Sequence, residues 1–298
     1  MCTKPLRHFA VIGHPIGHTM SPFIHERLFA LAQKEPSEYL ALDIPPQDLE
    51  SAMETLRGLE GFNVTIPHKE AILPLLDQLS PQARAFGSVN TVCTREGVST
   101  GYTTDGIGCL KALEAAGVTP EGPCLLLGSG GAARAIAFAL TESVPAPQLT
   151  FAVREGSVEK ARALCASLSQ YAASLGKTGA YTVCTYGQLE KDTARFRLLL
   201  NCTSVGMYPN IQACPVSEMV ISRCEAVFDA VYNPHETRLL QTAQKLHLPA
   251  IHGMAMLVWQ AVAAHQIWDG SEYRPEDIQQ LIQDAAEEMA RRFQEGKA

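Results

Sequence analysis

Hydrophobic positions along the chain gather into short apolar or β-branched runs, separated by longer stretches with helical spacing. Residues 8–12, 39–44 and 62–66 read as strands, and 22–33 and 47–56 as helices. A hairpin is expected at Glu96-Gly97, then a helix over 106–116 stopped by Gly117, then a Pro/Gly-rich link over 119–123. From Cys124 the rhythm restarts, with apolar strands at 124–127, 149–153, 198–201 and 226–231. The tail, 254–268 and 275–293, is helical by pattern. This alternation predicts an α/β protein with helices covering its sheets. A boundary near Asp105 divides it into residues 1–105 plus 254–298, an α/β domain with a mixed sheet to which both C-terminal helices return, and 106–253, a Rossmann-like parallel-sheet domain.

Composition narrows the classes. A hydrophobic content of 46% over 298 residues supports a sizeable core and favours two domains. The balance of 24 Lys and Arg against 31 Asp and Glu disfavours a nucleic-acid partner. Neither an export signal nor an uncharged run long enough to span a membrane is apparent, so a cytoplasmic protein is expected. The nine cysteines are scattered, odd in number and never paired as C-x-x-C, and read as reduced thiols. His14 and His18 are spaced for a helical metal pair, but Pro15 and Gly17 stand between them. No metal site is expected.

The run Gly128-Ser129-Gly130-Gly131-Ala132-Ala133 joins an apolar strand to an alanine-rich helix. Gly128 permits a tight turn, Gly130 lets backbone approach a pyrophosphate, and Ala133 suits helix-sheet packing, so the motif predicts dinucleotide binding at a helix N-terminus. At the end of the next strand stands Arg154, where NAD sites usually carry an acid. Its guanidinium can fork onto a 2′-phosphate, which favours NADP, with NAD as the alternative.

Four polar clusters lie in the first domain: 18–22, 63–69, 88–91 and 103–106. Asn63 and Thr65, two apart on a strand, would face one ligand. Ser21 before Pro22 also suits a helix N-cap, and Asp105 a cap for a helix starting at Gly106. Taken in order, Gly-His-Pro-Ile-Gly-His-Thr-Met-Ser-Pro (13–22), Asn-Val-Thr-Ile-Pro-His-Lys (63–69), Gly-Ser-Val-Asn-Thr (87–91), Thr-Asp-Gly (104–106), the glycine run, Asn-Cys-Thr-Ser-Val-Gly-Met (201–207), Asp-Ala-Val-Tyr-Asn-Pro (229–234) and Gly-Met-Ala-Met-Leu-Val-Trp-Gln (253–260) resemble the shikimate dehydrogenase family.

The resemblance implies reversible, NADPH-dependent reduction of 3-dehydroshikimate to shikimate on the way to chorismate. It implies Lys69 and Asp105 as the catalytic pair. Thr19, Ser21, Asn63, Thr65, Asn90, Tyr232 and Gln260 would surround the substrate, Thr203, Ser204 and Ala230 the ribose, and Gly253 the nicotinamide. The chemistry fits Lys69 independently, because hydride exchange at a carbinol carbon requires a proton to cross at its oxygen. Burial favours a neutral Lys69 and Asp105 a cationic one, which leaves its protonation open. The chain departs from the family pattern at Thr19, where serine is usual, and at Val153 and Glu155, which flank Arg154, with Lys160 as a second basic partner. It departs also at Thr103 and along 253–256. A quinate/shikimate dehydrogenase using NAD and a non-catalytic dinucleotide sensor are the rival readings. A small-molecule substrate and a monomer or homodimer are expected.

Overall fold

The computed structural model describes residues 6–17 and 19–295, so His18 and Cys2 fall outside the described residues. The fold is α/β and divides into two compact units. One holds the chain up to Thr104 together with Val258–Ala285, and the other holds Asp105–Leu257 together with the chain from Ala286 onward. Within the span 254–298 that the sequence pattern joins to the first domain, 254–257 and the last turns therefore belong to the second unit. There Met289 is buried, and it lines a cavity with Asn233 and His235.

The first unit is built on a mixed sheet of β1 (Arg7–Gly13), β2 (Ser37–Asp43), β3 (Gly61–Val64), β4 (Gln78–Leu79), β5 (Thr91–Arg95) and β6 (Val98–Tyr102), in the order β2-β1-β3-β5-β6-β4. β1 pairs parallel with β2 and β3, whereas β3–β5 and β5–β6 are antiparallel. The hairpin between β5 and β6 turns at Glu96 and Gly97, both with positive φ, as a two-residue turn matched to strand twist requires. β3 stops at Val64, so Thr65 lies just past the strand instead of on it. Ser21 is the first residue of helix Ser21–Ala32 and not its cap, which is Met20; the Ser21 N–H donates to Thr19 Oγ1 at 3.2 Å. His14 is hydrogen-bonded to Asp43 at 2.7 Å.

Helix Gly253–Asp269 reaches this sheet through Trp268. Its indole N–H donates to the Val92 carbonyl at 2.8 Å, its ring packs 4.7 Å from that of Phe9, and a Cβ on Gly61 would stand 2.3 Å from it. Gly61 is glycine because the indole lies where a side chain would go. Beside Trp268, the fully buried His25 stacks on Tyr39 at 4.1 Å and is hydrogen-bonded to His265 at 3.0 Å, which in turn meets the Tyr273 hydroxyl at 2.7 Å.

The second unit carries an all-parallel sheet of β7 (Pro123–Leu127), β8 (Gln148–Val153), β9 (Ala180–Thr185), β10 (Leu198–Asn201), β11 (Val227–Asp229) and β12 (Ala250–His252), in the order β12-β11-β10-β7-β8-β9. The two halves diverge from the β7/β10 pair, the point at which doubly wound sheets bind ligands. β4, β9 and β12 carry no separate strand signal in the apolar runs. β4 and β12 span only two and three residues, too few for a period to register. Helix Asp105–Ala115 packs on helix Gly131–Ser143 at Gly106, where a Cβ would sit 2.5 Å from Ala139. Of the described cysteines, Cys93, Cys109, Cys124 and Cys224 are buried, Cys214 is exposed, and all are free thiols. Among the described residues no helix is long and apolar enough to cross a membrane.

Burial pushes the His25 and His265 imidazoles down, His265 to about 3, so both are neutral at pH 7. Below about pH 6.5 the unfolded chain takes up protons there that the folded unit does not. Stability should therefore fall with pH, by up to ~1.4 kcal/mol per pH unit for each histidine. The loss opens near the unfolded value and continues toward about 3. Both tryptophans, Trp259 and Trp268, lie in the first unit. Urea midpoints followed by their emission, from neutrality to about pH 5, read this loss; a pH-independent midpoint would contradict it.

Candidate active site

The first unit gathers Thr19, Ser21, Asn63, Thr65, Lys69, Asn90 and Gln260. Its polar side chains are linked by hydrogen bonds. Thr19 Oγ1 donates to Ser21 Oγ at 3.1 Å, and Tyr39 donates to Asn63 Oδ1 at 2.6 Å. Asn63 Nδ2 donates to the Asn90 carbonyl at 3.2 Å and to Thr91 Oγ1 at 3.1 Å. Asn90 Nδ2 donates to Thr104 Oγ1 at 2.9 Å and Gln260 Oε1 at 3.3 Å, while its Oδ1 accepts the Thr104 N–H at 2.6 Å. Ser21, Tyr39, Asn63, Asn90, Thr91, Thr104 and Gln260 are buried, whereas Thr19, Thr65 and Lys69 are partly exposed. Such contacts fix the orientation of the Asn63 and Asn90 amides, because each Nδ2 has two acceptors.

Lys69 sits on the short helix His68–Ala71. The buried His68 anchors that helix through Nε2 to the Ile44 carbonyl at 2.6 Å, and the Lys69 carbonyl accepts the Val89 N–H at 2.9 Å. The lysine backbone is thus held beside the 88–91 segment. Thr65, one turn earlier, donates its N–H to the Ile12 carbonyl at 2.9 Å.

Sequence reasoning missed Tyr39, Thr91 and Thr104 as parts of this network. Tyr39 reads as an ordinary strand aromatic, and its role depends on β2 lying next to β1, with β3 on the other side.

The second unit holds the remaining candidates: Asp105, Gly128–Ala133, Arg154, Thr203, Ser204, Ala230, Tyr232 and Gly253. Asp105 is buried and opens helix Asp105–Ala115. Gly128 has φ 93°, and a Cβ there would stand 2.8 Å from the Thr203 methyl, so the glycine turn and the loop after β10 touch. Ser129 is buried, Ala132 partly buried, and Ala133 is wholly packed against the sheet. At Gly130 and Gly131 an added Cβ would meet open space. Among the described residues no side chain caps the N-terminus of helix Gly131–Ser143. Its first N–H groups are therefore available to an anion. Arg154 is exposed just past β8, and the Gly128 N–H donates to the carbonyl of Ala152, two residues before it.

A second polar knot, also unforeseen, shapes this edge. Asp229 ends β11 buried, accepting from Asn201 Nδ2 at 2.9 Å, the Val231 N–H at 3.0 Å and Thr237 Oγ1 at 2.6 Å. Asn201 Oδ1 accepts from Thr203 at both its N–H and its hydroxyl. Burial raises Asp229 to about 6 against these bonds. The knot sets the loops bearing Thr203, the exposed Ser204 and Ala230. Gly253 lies against it: a Cβ there would fall 2.7 Å from the Ala230 carbonyl oxygen. Burial pushes the Tyr232 phenol up, so it is protonated at neutral pH.

The model of the shikimate dehydrogenase substrate binding domain matches residues 11–92. A shikimate dehydrogenase (NADP(+)) of Moorella thermoacetica is 40% identical over 266 residues, covering 88% of each chain. The chain belongs to the shikimate dehydrogenase family. Among solved structures, that of the Thermus thermophilus enzyme with NADP(H) and shikimate superposes with a TM-score of 0.80 at 35% identity, covering 94% of this chain and 99% of that one. The Listeria monocytogenes enzyme with shikimate and NAD gives 0.79 at 31%, covering 93% and 96%.

Removing the Tyr39 hydroxyl leaves Asn63 Oδ1 buried without that donor. Tyr39→Phe should cost the first unit about 1–3 kcal/mol, read as a shift in the tryptophan-detected urea midpoint. An unchanged midpoint would mean that Asn63 finds another donor.

Proposed function

We propose that this chain is a cytoplasmic shikimate dehydrogenase that interconverts 3-dehydroshikimate and shikimate with NADPH. The observation that carries the reading is the buried Tyr39–Asn63–Asn90–Thr104–Gln260 chain in the unit that presents Lys69. It forms a rigid wall of amides and hydroxyls, suited to a polyhydroxylated acid. Support also comes from relatives named shikimate dehydrogenase (NADP(+)) and from a solved neighbour bound to NADP(H) and shikimate.

The dinucleotide fits this chain's residues. Open backbone at Gly130 and Gly131, an uncapped helix N-terminus and the exposed Arg154 suit its phosphates. Bound NADPH supplies the hydride. Lys69 exchanges the proton at the substrate oxygen, and Asp105 is its partner. When the carbonyl is reduced, the developing alkoxide takes a proton from Lys69; in the reverse direction Lys69 accepts the hydroxyl proton. Thr19, Ser21, Asn63, Thr65, Asn90, Tyr232 and Gln260 orient the substrate hydroxyls and carboxylate. Thr203, Ser204, Ala230 and Gly253 hold the ribose and nicotinamide end.

A second reading, NAD as cofactor, is favoured by Glu155, an exposed carboxylate next to Arg154 that repels a 2′-phosphate, and by the relative solved with NAD.

Turnover with shikimate or quinate against NADP or NAD, compared as kcat/KM for the four pairs, tests the assignment. The shikimate–NADP pair should lead. Preference for quinate or NAD would keep the family and overturn the roles given to Thr19 or Arg154, and no turnover with any pair would favour a dinucleotide sensor. Lys69→Ala should lower kcat by ~100- to 10,000-fold with KM for shikimate little changed. Arg154→Ala should reduce the preference for NADP over NAD by about 10- to 100-fold, the worth of one or two hydrogen bonds to a charged group; an unaltered preference would remove Arg154 from the 2′-phosphate site.

A further inference from the structure

Outside the network that sets the β11 edge, the second unit brings together three potential ligands that no short-range spacing announces. His235 and Glu236 follow β11, and His252 ends β12; one ligand atom of each lies within 4.8 Å of the other two. The two imidazoles stack with centroids 4.2 Å apart and planes 11° from parallel, so one ring must turn out of the stack before both in-plane lone pairs can meet one ion. His252 Nδ1 lies 3.1 Å from the His235 carbonyl oxygen, which can only accept. Nδ1 therefore carries a proton, and Nε2 faces Glu236 Oε1 at 3.6 Å, beyond hydrogen-bond distance and close enough for both atoms to ligate one cation. His235 Nδ1 is buried and has no hydrogen-bond partner among the described residues, a costly state for a ring nitrogen.

We infer that His235, Glu236 and His252 form a binding site for a divalent transition-metal ion of the zinc class. Two imidazoles and one carboxylate are a known zinc donor set with a position left open, and imidazole nitrogen favours zinc, nickel and copper over magnesium or calcium. The outer contacts are those that orient metal ligands. The His235 carbonyl fixes the His252 tautomer, and Gln244 Nε2 holds the Glu236 carboxylate at 3.1 and 3.4 Å. Asp229 is nearby, but its oxygens are taken by Asn201, Val231 and Thr237, so it adds negative charge without serving as a ligand. A cavity of about 420 Å³, lined by His235, Glu236, Glu287 and Met289, leaves room for water or a small anion on the open position.

The test uses the full chain, stripped with a chelator and then titrated with Zn²⁺ by calorimetry and with Co²⁺ by visible absorption. One ion should bind per chain, Zn²⁺ should raise the melting temperature, and the Co²⁺ spectrum should lack sulfur-to-metal charge transfer. Glu236→Gln, at an exposed position that leaves the fold intact, and His252→Ala should weaken binding by more than the roughly 100-fold that outer-shell changes reach, and Gln244→Ala by about 10-fold. Unchanged binding in Glu236→Gln, thiolate charge transfer from cysteines such as Cys214, or no binding at all would overturn the site and leave His252 and Glu236 as a simple ion pair.

Discussion

The phenol of Tyr39 is the contact on which the polar wall of the first unit depends. It gives its proton to Asn63 Oδ1 at 2.6 Å, which ties the second strand to the third across β1. From Asn63 the order passes to Asn90, Thr91, Thr104 and Gln260. Burial pushes the Tyr39 phenol well above its usual range, so it is always a donor. The ring beneath it is held by His25, itself tied to His265 on the C-terminal helix that Trp268 docks on the sheet. Packing and polarity act together here: the aromatic stack fixes where the hydroxyl lies, and the hydroxyl fixes which way the amides face.

The second unit meets a related demand differently. β10 and β11 are apolar until their last residues, and there Asn201 and Asp229 turn polar and bind each other. This knot shapes the loops at the carboxyl ends of the strands, where Gly128 touches Thr203 and Gly253 lies under Ala230. In such sheets the strand ends are where ligands bind. Two glycines of the quoted motifs also meet a close-packing demand. Gly106 lets two helices meet, and Gly253 lets a helix begin against a strand end. At Gly130 and Gly131, by contrast, an added Cβ would face open space.

The sequence by itself determined the α/β class, most strands and helices, the glycine turn and the polar segments of both units. Each of these is written in local periods and in residue types whose backbone preferences act over a few positions. It went astray where a property depends on a neighbour distant in the chain. Ser21 reads as a cap but lies inside its helix, with Thr19 accepting its N–H. Thr65 reads as a strand residue but lies beyond the point where β3 ends. Tyr39, Thr104 and Asp229 look like ordinary members of their segments. Only the tertiary structure decided that Tyr39 would meet Asn63, that Trp268 would dock on Gly61 and Val92, and that His235 and His252 would stack. Those encounters are fixed by strand order and helix docking, which arise from burying apolar faces across the whole chain and leave no mark at any single position.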